Sequence, residues 1–334
     1  MEHKLIGSSS PHIKDKVTTS RIMLDVIIAL LPAALMGVIF FGTGALVNIF
    51  AAIAACVLGE YIWNRGMKKP QSIHDCSAIV TGLLLAMTVS PKTPFWMLIL
   101  GGFFAIIIVK QLFGGIGMNF LNPALAARAM MMASWPAQMT AWQAPNWMSP
   151  LPTDGLTANV DAVAGATPLA LQKLIIGEGG VTAAQLPSYK DLFLGNVMGS
   201  IGETCALALL LGGVYLIIRG VISWEIPVLF AASTALLSLI LGVDPLFNLL
   251  SGGLMIGAIF MATDYTTSPM TFKARCIYAV GCGLLTVVIR VYGGYPEGVS
   301  YAILLMNLVV PLLDKAFIPK SFGTIHVKKG EAAK

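Results

Sequence analysis

The chain has 334 residues, 57% of them hydrophobic and 11% charged, with a net charge of +5 and a mean hydropathy of +0.81. Soluble domains carry about 25% charged residues, so the composition excludes a soluble globular class and implies a polytopic membrane protein. The positive balance does not point to nucleic acid, because the basic residues flank apolar segments, where they set orientation. Four histidines and five cysteines without any CxxC spacing argue against a zinc or iron–sulfur centre held by this chain alone.

Residues 1–21 are polar and read as a cytoplasmic N-terminal segment. They are not expected to be a cleavable signal, since no small-residue cleavage site follows the first apolar run. Five hydrophobic segments come next, at 22–42, 45–63, 77–90, 95–112 and 120–135, and form a first block, 22–135. The first is long enough to cross about 30 Å of hydrocarbon. A long polar interruption occupies 136–196. Five further segments, at 197–218, 226–242, 245–262, 275–292 and 299–317, form a second block, 197–318, followed by a polar tail, 319–334.

Segments three and eight hold matching places in the two blocks. Segment three is short; segment eight contains Gly252, Gly253 and Gly257. Each opens on an aspartate, Asp75 or Asp244, and each is followed by a Ser-Pro pair, Ser90-Pro91 or Ser268-Pro269. Short or glycine-interrupted segments in corresponding positions suggest an inverted repeat. The spacings Gly195–Gly199 and Gly253–Gly257 read as helix-packing positions.

Lysine and arginine placement sets the direction. With the N-terminus inside and ten spans, sixteen basic residues, Lys110 and Arg219 among them, fall on the inner side, and only Lys92, Lys173 and Lys190 on the outer. Both termini are then cytoplasmic, and the 136–196 loop is extracytoplasmic.

Three polar stretches carry chemistry. The first, Asp161-Ala162-Val163-Ala164-Gly165-Ala166-Thr167, lies in the outer loop. Thr167 offers a hydroxyl for a phosphoester, Gly165 and Ala166 leave the backbone uncrowded, and Asp161 can orient the hydroxyl or hold a metal. The alternative is that Thr167 simply caps a helix with Pro168 at its first position. The second, residues 114–124, has Gly114, Gly115 and Gly117, whose backbones reach positive φ. Asn119 and Asn122 add amides, and Asn122 is expected to cap the fifth helix. It reads either as a tight interhelical turn or as a floor for a flavin ring or an ion. The third, residues 262–269, gathers Asp264 with Thr263, Tyr265, Thr266 and Thr267 at the inner end of segment eight. It reads as a hydrated loop or as an oxygen-rich site for sodium or a proton relay. Asp25, Glu60, Glu203, Arg128 and Arg290 lie within or near spans, with Glu203 expected to be the deepest carboxylate and part of an ion path.

Together these residues resemble the RnfD family, the D subunits of Rnf-type ion-translocating ferredoxin:NAD oxidoreductase complexes. That family is related to NqrB, the B subunit of the sodium-pumping NADH:quinone oxidoreductase. The resemblance covers nearly the whole chain and is carried by residues 115–124, by 161–169 and by 263–269. It implies an all-α fold of about ten transmembrane helices in two inverted five-helix repeats, similar in plan to urea transporters. It implies FMN esterified to Thr167, which makes the chain a flavoprotein and formally a phosphoprotein, within a site of Asp161, Gly165 and Ala166. It also suggests a second, noncovalent flavin such as riboflavin, with Gly115, Gly117, Asn119 and Asn122 as candidate contacts. Asp264, Thr267 and Glu203 are the candidate ion path. Implied partners are other membrane and peripheral subunits with iron–sulfur centres and flavins, a flavin transferase and the lipid bilayer of a bacterial cytoplasmic membrane, but no nucleic acid. The nicotinamide and ferredoxin sites would lie on other subunits.

Two other readings compete. A non-redox transporter or channel for an ion or small solute fits the repeat-like plan equally well. A structural anchor whose flavin site has decayed draws on Ala164, which stands where such motifs often have serine or threonine.

Overall fold

The computed structural model describes residues 17–145, 166–176, 186–294 and 297–318. Every regular element among them is helical. The first block comprises α1 (Thr19–Phe41), α2 (Thr43–Gly66), α3 (Ser77–Met87), α4 (Phe95–Phe103) and α5 (Pro123–Ser134). A π-helical turn, Phe104–Gln111, extends α4. Three short helices follow: α6 (Pro136–Met139), α7 (Pro168–Ile176) and α8 (Tyr189–Leu194). The second block comprises α9 (Ala206–Ile218), α10 (Glu225–Ile240), α11 (Pro245–Leu250) with α12 (Leu254–Ile256), α13 (Phe272–Tyr292) and α14 (Val299–Ala316). All ten apolar segments therefore have a helical counterpart, and a second π-helical stretch, Gly257–Met261, continues α12.

Four helices, α1, α2, α13 and α14, are long and apolar enough to cross a membrane. Their burial pattern is the reverse of a soluble helix. On α1, Leu24, Ile28, Leu31 and Leu35 repeat at helical spacing and are exposed, while Asp25, Ala29, Ala33 and Gly37 face inward. Large apolar residues outside and small residues inside suit a lipid surround, because lipid offers no hydrophobic drive to bury leucine and close backbone approach gains packing instead.

The other helices are shorter. The 11 residues of α3 rise about 17 Å, well under the hydrocarbon thickness. Irregular backbone must then continue at depth, and it survives only where protein satisfies its polar groups. Beyond α3, Asn48 Nδ2 donates to the carbonyls of Pro91 (3.1 Å) and Thr93 (3.0 Å), and Arg128 Nε to that of Thr88 (2.8 Å). Ile201 N and Gly202 N donate to Val89 O and Met87 O, which ties the end of α3 to the chain entering α9. In the second block, Arg290 serves the break between α11 and α12, donating to Asn248 O (2.6 Å) and Ser251 O (3.1 Å).

Local signals place several boundaries. Asn122 Oδ1 accepts from Ala124 N and Leu125 N at the start of α5, and Asp244 Oδ1 from Leu246 N and Phe247 N at the start of α11. Both helices carry proline at the first position, where its missing N–H costs nothing. Two expectations need correcting. The sixth apolar segment is helical only from Ala206; residues 197–205 are irregular, with the Ile201 and Gly202 N–H groups bonded to Val89 O and Met87 O rather than within a helix. Gly195 and Gly199 are therefore not helix-packing positions: Gly195 closes α8 at φ +101°, and Gly199 lies in the irregular stretch. Lys110, counted on the inner side, is 2% exposed and paired with Glu60.

Candidate functional site

Two clefts lie at opposite ends of α9. The larger has about 770 Å³ of empty space, part of it open to the outside, and is bordered by Asn119, Asn122, Asp264, Thr266, Lys110 and Ser77 among its polar groups. The glycine loop and the Thr263–Pro269 stretch, 147 residues apart at their hydrogen-bonded members, meet here: Asn119 Nδ2 donates to Thr266 Oγ1 at 2.9 Å. Asn122 Nδ2 reaches Met261 O at 3.3 Å. Gly115 and Gly117 hold φ of +99° and +88°, as the sequence leads one to expect, but neither borders the cleft; Ile116 between them does.

Asp264 is held in an oxygen-rich turn. Its Oδ2 accepts from Thr266 Oγ1 (2.9 Å) and Thr267 Oγ1 (3.2 Å). Burial pushes this carboxyl above the usual range, against the opposing effect of those hydrogen bonds. Behind the cleft wall, Lys110 Nζ donates to Glu60 Oε2 (3.0 Å) and Ser77 Oγ (2.6 Å), and Gln111 and Ser72 also donate to Glu60. Glu60 is 0% exposed and Glu203 7%, so Glu60, not Glu203, is the most buried carboxylate among the described residues.

The smaller cleft has about 350 Å³ of empty space and is bordered by Thr167, Glu203, Thr204, Ser251, Gly252 and Glu297. Thr167 is 5% exposed and caps α7: its Oγ1 accepts from Ala170 N at 3.2 Å, and its carbonyl from Leu171 N. Leu169 packs against Gly252, and Lys173 donates to Gly293 O, so α7 is docked on the second block. Glu297 pairs with Arg128 of α5, and Arg290 holds the Ser251 carbonyl. Thr204 Oγ1, Ser251 Oγ and Arg290 Nε have no protein partner. Asp161 and Gly165 lie outside the described residues; Ala166 is exposed. Glu203 and Asp264 border different clefts, so the three ion-path candidates do not form one site.

A model of the NQR2, RnfD, RnfE family matches residues 6–323. The chain belongs to this family. Among its relatives is the D subunit of the Na(+)-translocating ferredoxin:NAD(+) oxidoreductase complex of Acetobacterium woodii, 48% identical over 98% of both chains. The D subunit of the proton-translocating ferredoxin:NAD(+) oxidoreductase complex of Clostridium ljungdahlii is 46% identical over 95% of this chain and 96% of its own. The D subunit of an ion-translocating oxidoreductase complex of Stutzerimonas stutzeri is 40% identical over 92% of each. Relatives named for sodium and for protons stand at nearly equal identity, so similarity alone does not choose the ion.

Sequence reasoning missed the Glu60–Lys110 and Arg128–Glu297 pairs and the two hydroxyls of Thr204 and Ser251. A lone charge in an apolar segment signals that a partner exists. Which of several distant charges it is depends on helix packing.

Proposed function

We propose that this chain is the D subunit of an ion-translocating ferredoxin:NAD(+) oxidoreductase complex in a bacterial cytoplasmic membrane, and that Thr167 carries FMN as a phosphoester on the extracytoplasmic side. The observation that carries the cofactor reading is the position of Thr167: its hydroxyl stands at the N-terminus of a nine-residue helix, beside a cleft. A phosphate there meets the positive end of the helix dipole, with the Leu169 N–H as the first-turn donor that Thr167 does not already occupy. Bound there, FMN would supply electron-transfer chemistry, while the protein orients it and sets its electrostatic surroundings.

The finer architecture we propose is ten spans in two inverted five-helix repeats. Several pairings support it. Helix α2 packs on α4 as α10 packs on α13, and the corresponding helices α1 with α9, and α5 with α14, meet across the two blocks. Each block also uses a base late in its fourth helix, Lys110 or Arg290, to hold the region where its third begins. The larger cleft, with Asn119 and Asn122 on its wall and Gly115 and Gly117 shaping the loop, suits a second, noncovalent flavin such as riboflavin. Asp264 with Thr267 there, and Glu203 at the other end, are the proposed ion-path groups. A flavin transferase and further iron–sulfur and flavin subunits are the proposed partners.

A transporter without redox chemistry is the second reading, favoured by the clefts at both ends of α9. In-gel fluorescence separates the two. Produced with a flavin transferase, the wild-type polypeptide should fluoresce after denaturation, and Thr167→Val should not. An unlabelled wild-type band beside a positive control would move the assignment to the transporter.

A further inference from the structure

Asn307 of α14 is 1% exposed and borders neither cleft, yet it joins the two stretches that make the polar wall of the larger one. Its neighbours fix the orientation of its amide: the Thr267 and Ile303 carbonyls can only accept, and the Asn122 backbone N–H can only donate. The nitrogen therefore faces Thr267 O (3.3 Å), Ile303 O (3.1 Å) and the Tyr278 hydroxyl (2.8 Å), and the oxygen accepts from Asn122 N at 3.2 Å. Asn122 caps the helix that follows the glycine loop of the first block. Thr267 closes the Asp264 turn of the second, its N–H donating to Asp264 O at 3.2 Å. Tyr278, fully buried on α13, backs the amide in turn.

The polar wall is assembled from opposite blocks, so its spacing depends on what ties the two stretches together. Asn119 Nδ2 to Thr266 Oγ1 and Asn122 Nδ2 to Met261 O are direct ties. Asn307 is a further tie, made from behind, and it reaches the backbone of both stretches. A bond to the backbone fixes where a stretch stands; a bond to a side chain fixes only how that side chain turns. The cleft is otherwise lined by apolar side chains, Ile22, Met23, Val26 and Leu216 among them. Apolar lining with a few placed amides and one carboxyl suits a flat ring with a polar edge. Binding of a rigid ring depends on the spacing of the groups that meet its edge.

We propose that Asn307 is a positioning residue for the ligand of the larger cleft: it holds Asn122 and the Asp264 turn at the separation that binds a noncovalent flavin. This rests on the flavin proposed for that cleft. Asn307 itself touches no ligand and acts through the two stretches it joins.

The test titrates riboflavin into the full-length protein in lipid nanodiscs, produced without the flavin transferase, and reads the quenching of flavin fluorescence. Wild type should bind. Asn307→Leu, which replaces the amide by an apolar side chain, should raise the dissociation constant at least tenfold. Asn307→Ala should do the same, and it guards against a leucine variant that misfolds. Asn48→Leu is the control: it removes another buried amide, which serves the Pro91 and Thr93 carbonyls away from both clefts. It should lower the melting temperature as the Asn307 variants do, yet leave the dissociation constant within twofold of wild type. Tyr278→Phe, which takes one partner from Asn307 but leaves the amide on both stretches, should weaken binding less than Asn307→Leu. Wild-type affinity in both Asn307 variants overturns the proposal and leaves the flavin assignment of the cleft standing. An equal loss in Asn48→Leu also overturns it, because the effect would then be one of general stability. Failure of the wild-type protein to bind riboflavin overturns the flavin assignment itself.

Discussion

Two residues show how much one buried charge constrains this protein. Glu60 is fully enclosed, and Lys110 meets it from a π-helical turn 50 positions away. Neither can be charged alone, since a buried pair loses several kcal/mol when one partner is removed, roughly 3–5. Lys110→Met should therefore strongly destabilise the purified protein, lowering its melting temperature or preventing accumulation. The double variant Glu60→Gln, Lys110→Met should recover most of that loss, because neither an unpaired carboxylate nor an unpaired ammonium remains. A double variant as unstable as the single one would show that Lys110 acts through packing or through Ser77 instead. At the same scale, Thr167 shows how far single residues were readable: Pro168 made the cap legible, whereas its burial and its company of Thr204 and Ser251 depended on elements far away in sequence.

Glycines decide which helices touch. A Cβ on Gly82 of α3 would lie 2.7 Å from Ile53 Cα and 2.8 Å from Ala52 O of α2. Gly212 of α9 meets the Ala29 carbonyl of α1 with no room for a methyl group. Overpacking of this kind costs typically about 1–3 kcal/mol. Gly82→Ala should thus lower the thermal stability measurably. Gly66→Ala, at the open end of α2 with nothing within 4 Å, should leave it unchanged or slightly raised, since alanine favours helix by about 1 kcal/mol over glycine. The element boundaries divide in the same way. Starts marked by Asn122-Pro123 and Asp244-Pro245 were plain from local chemistry. The late start of α9 was not, because residues 197–205 are apolar enough to pass for helix while their N–H groups pair with Met87 at the end of α3 and with Val89 just beyond it.

Over the whole molecule, α9 runs from one cleft to the other. On the proposed topology, with the N-terminus inside, the Asp264 cleft would face the cytoplasm and the Thr167 cleft the opposite side. That arrangement predicts the reach of a membrane-impermeant thiol reagent. In a background lacking the five native cysteines, Lys190→Cys should label in intact cells, and Lys273→Cys only in inverted vesicles. The reverse pattern would turn the proposed flavin cleft inward and sink its extracytoplasmic assignment.

Hydropathy and the spread of lysine and arginine determined the ten apolar segments, their grouping into two blocks and the expected direction, because partition between water and lipid depends on composition over windows of about twenty residues. Motif spacing likewise singled out Thr167, Asn119, Asn122 and Asp264. The tertiary structure alone decided that the glycine loop and the Asp264 turn share one cleft, that Glu203 stands by Thr167 rather than by Asp264, and which base neutralises which acid. The hydrogen-bonded pairings Lys110–Glu60, Asn119–Thr266 and Arg128–Glu297 join residues 50, 147 and 169 positions apart. They are set by the close approach of helices at small residues, a property of packed surfaces that no local window of sequence contains.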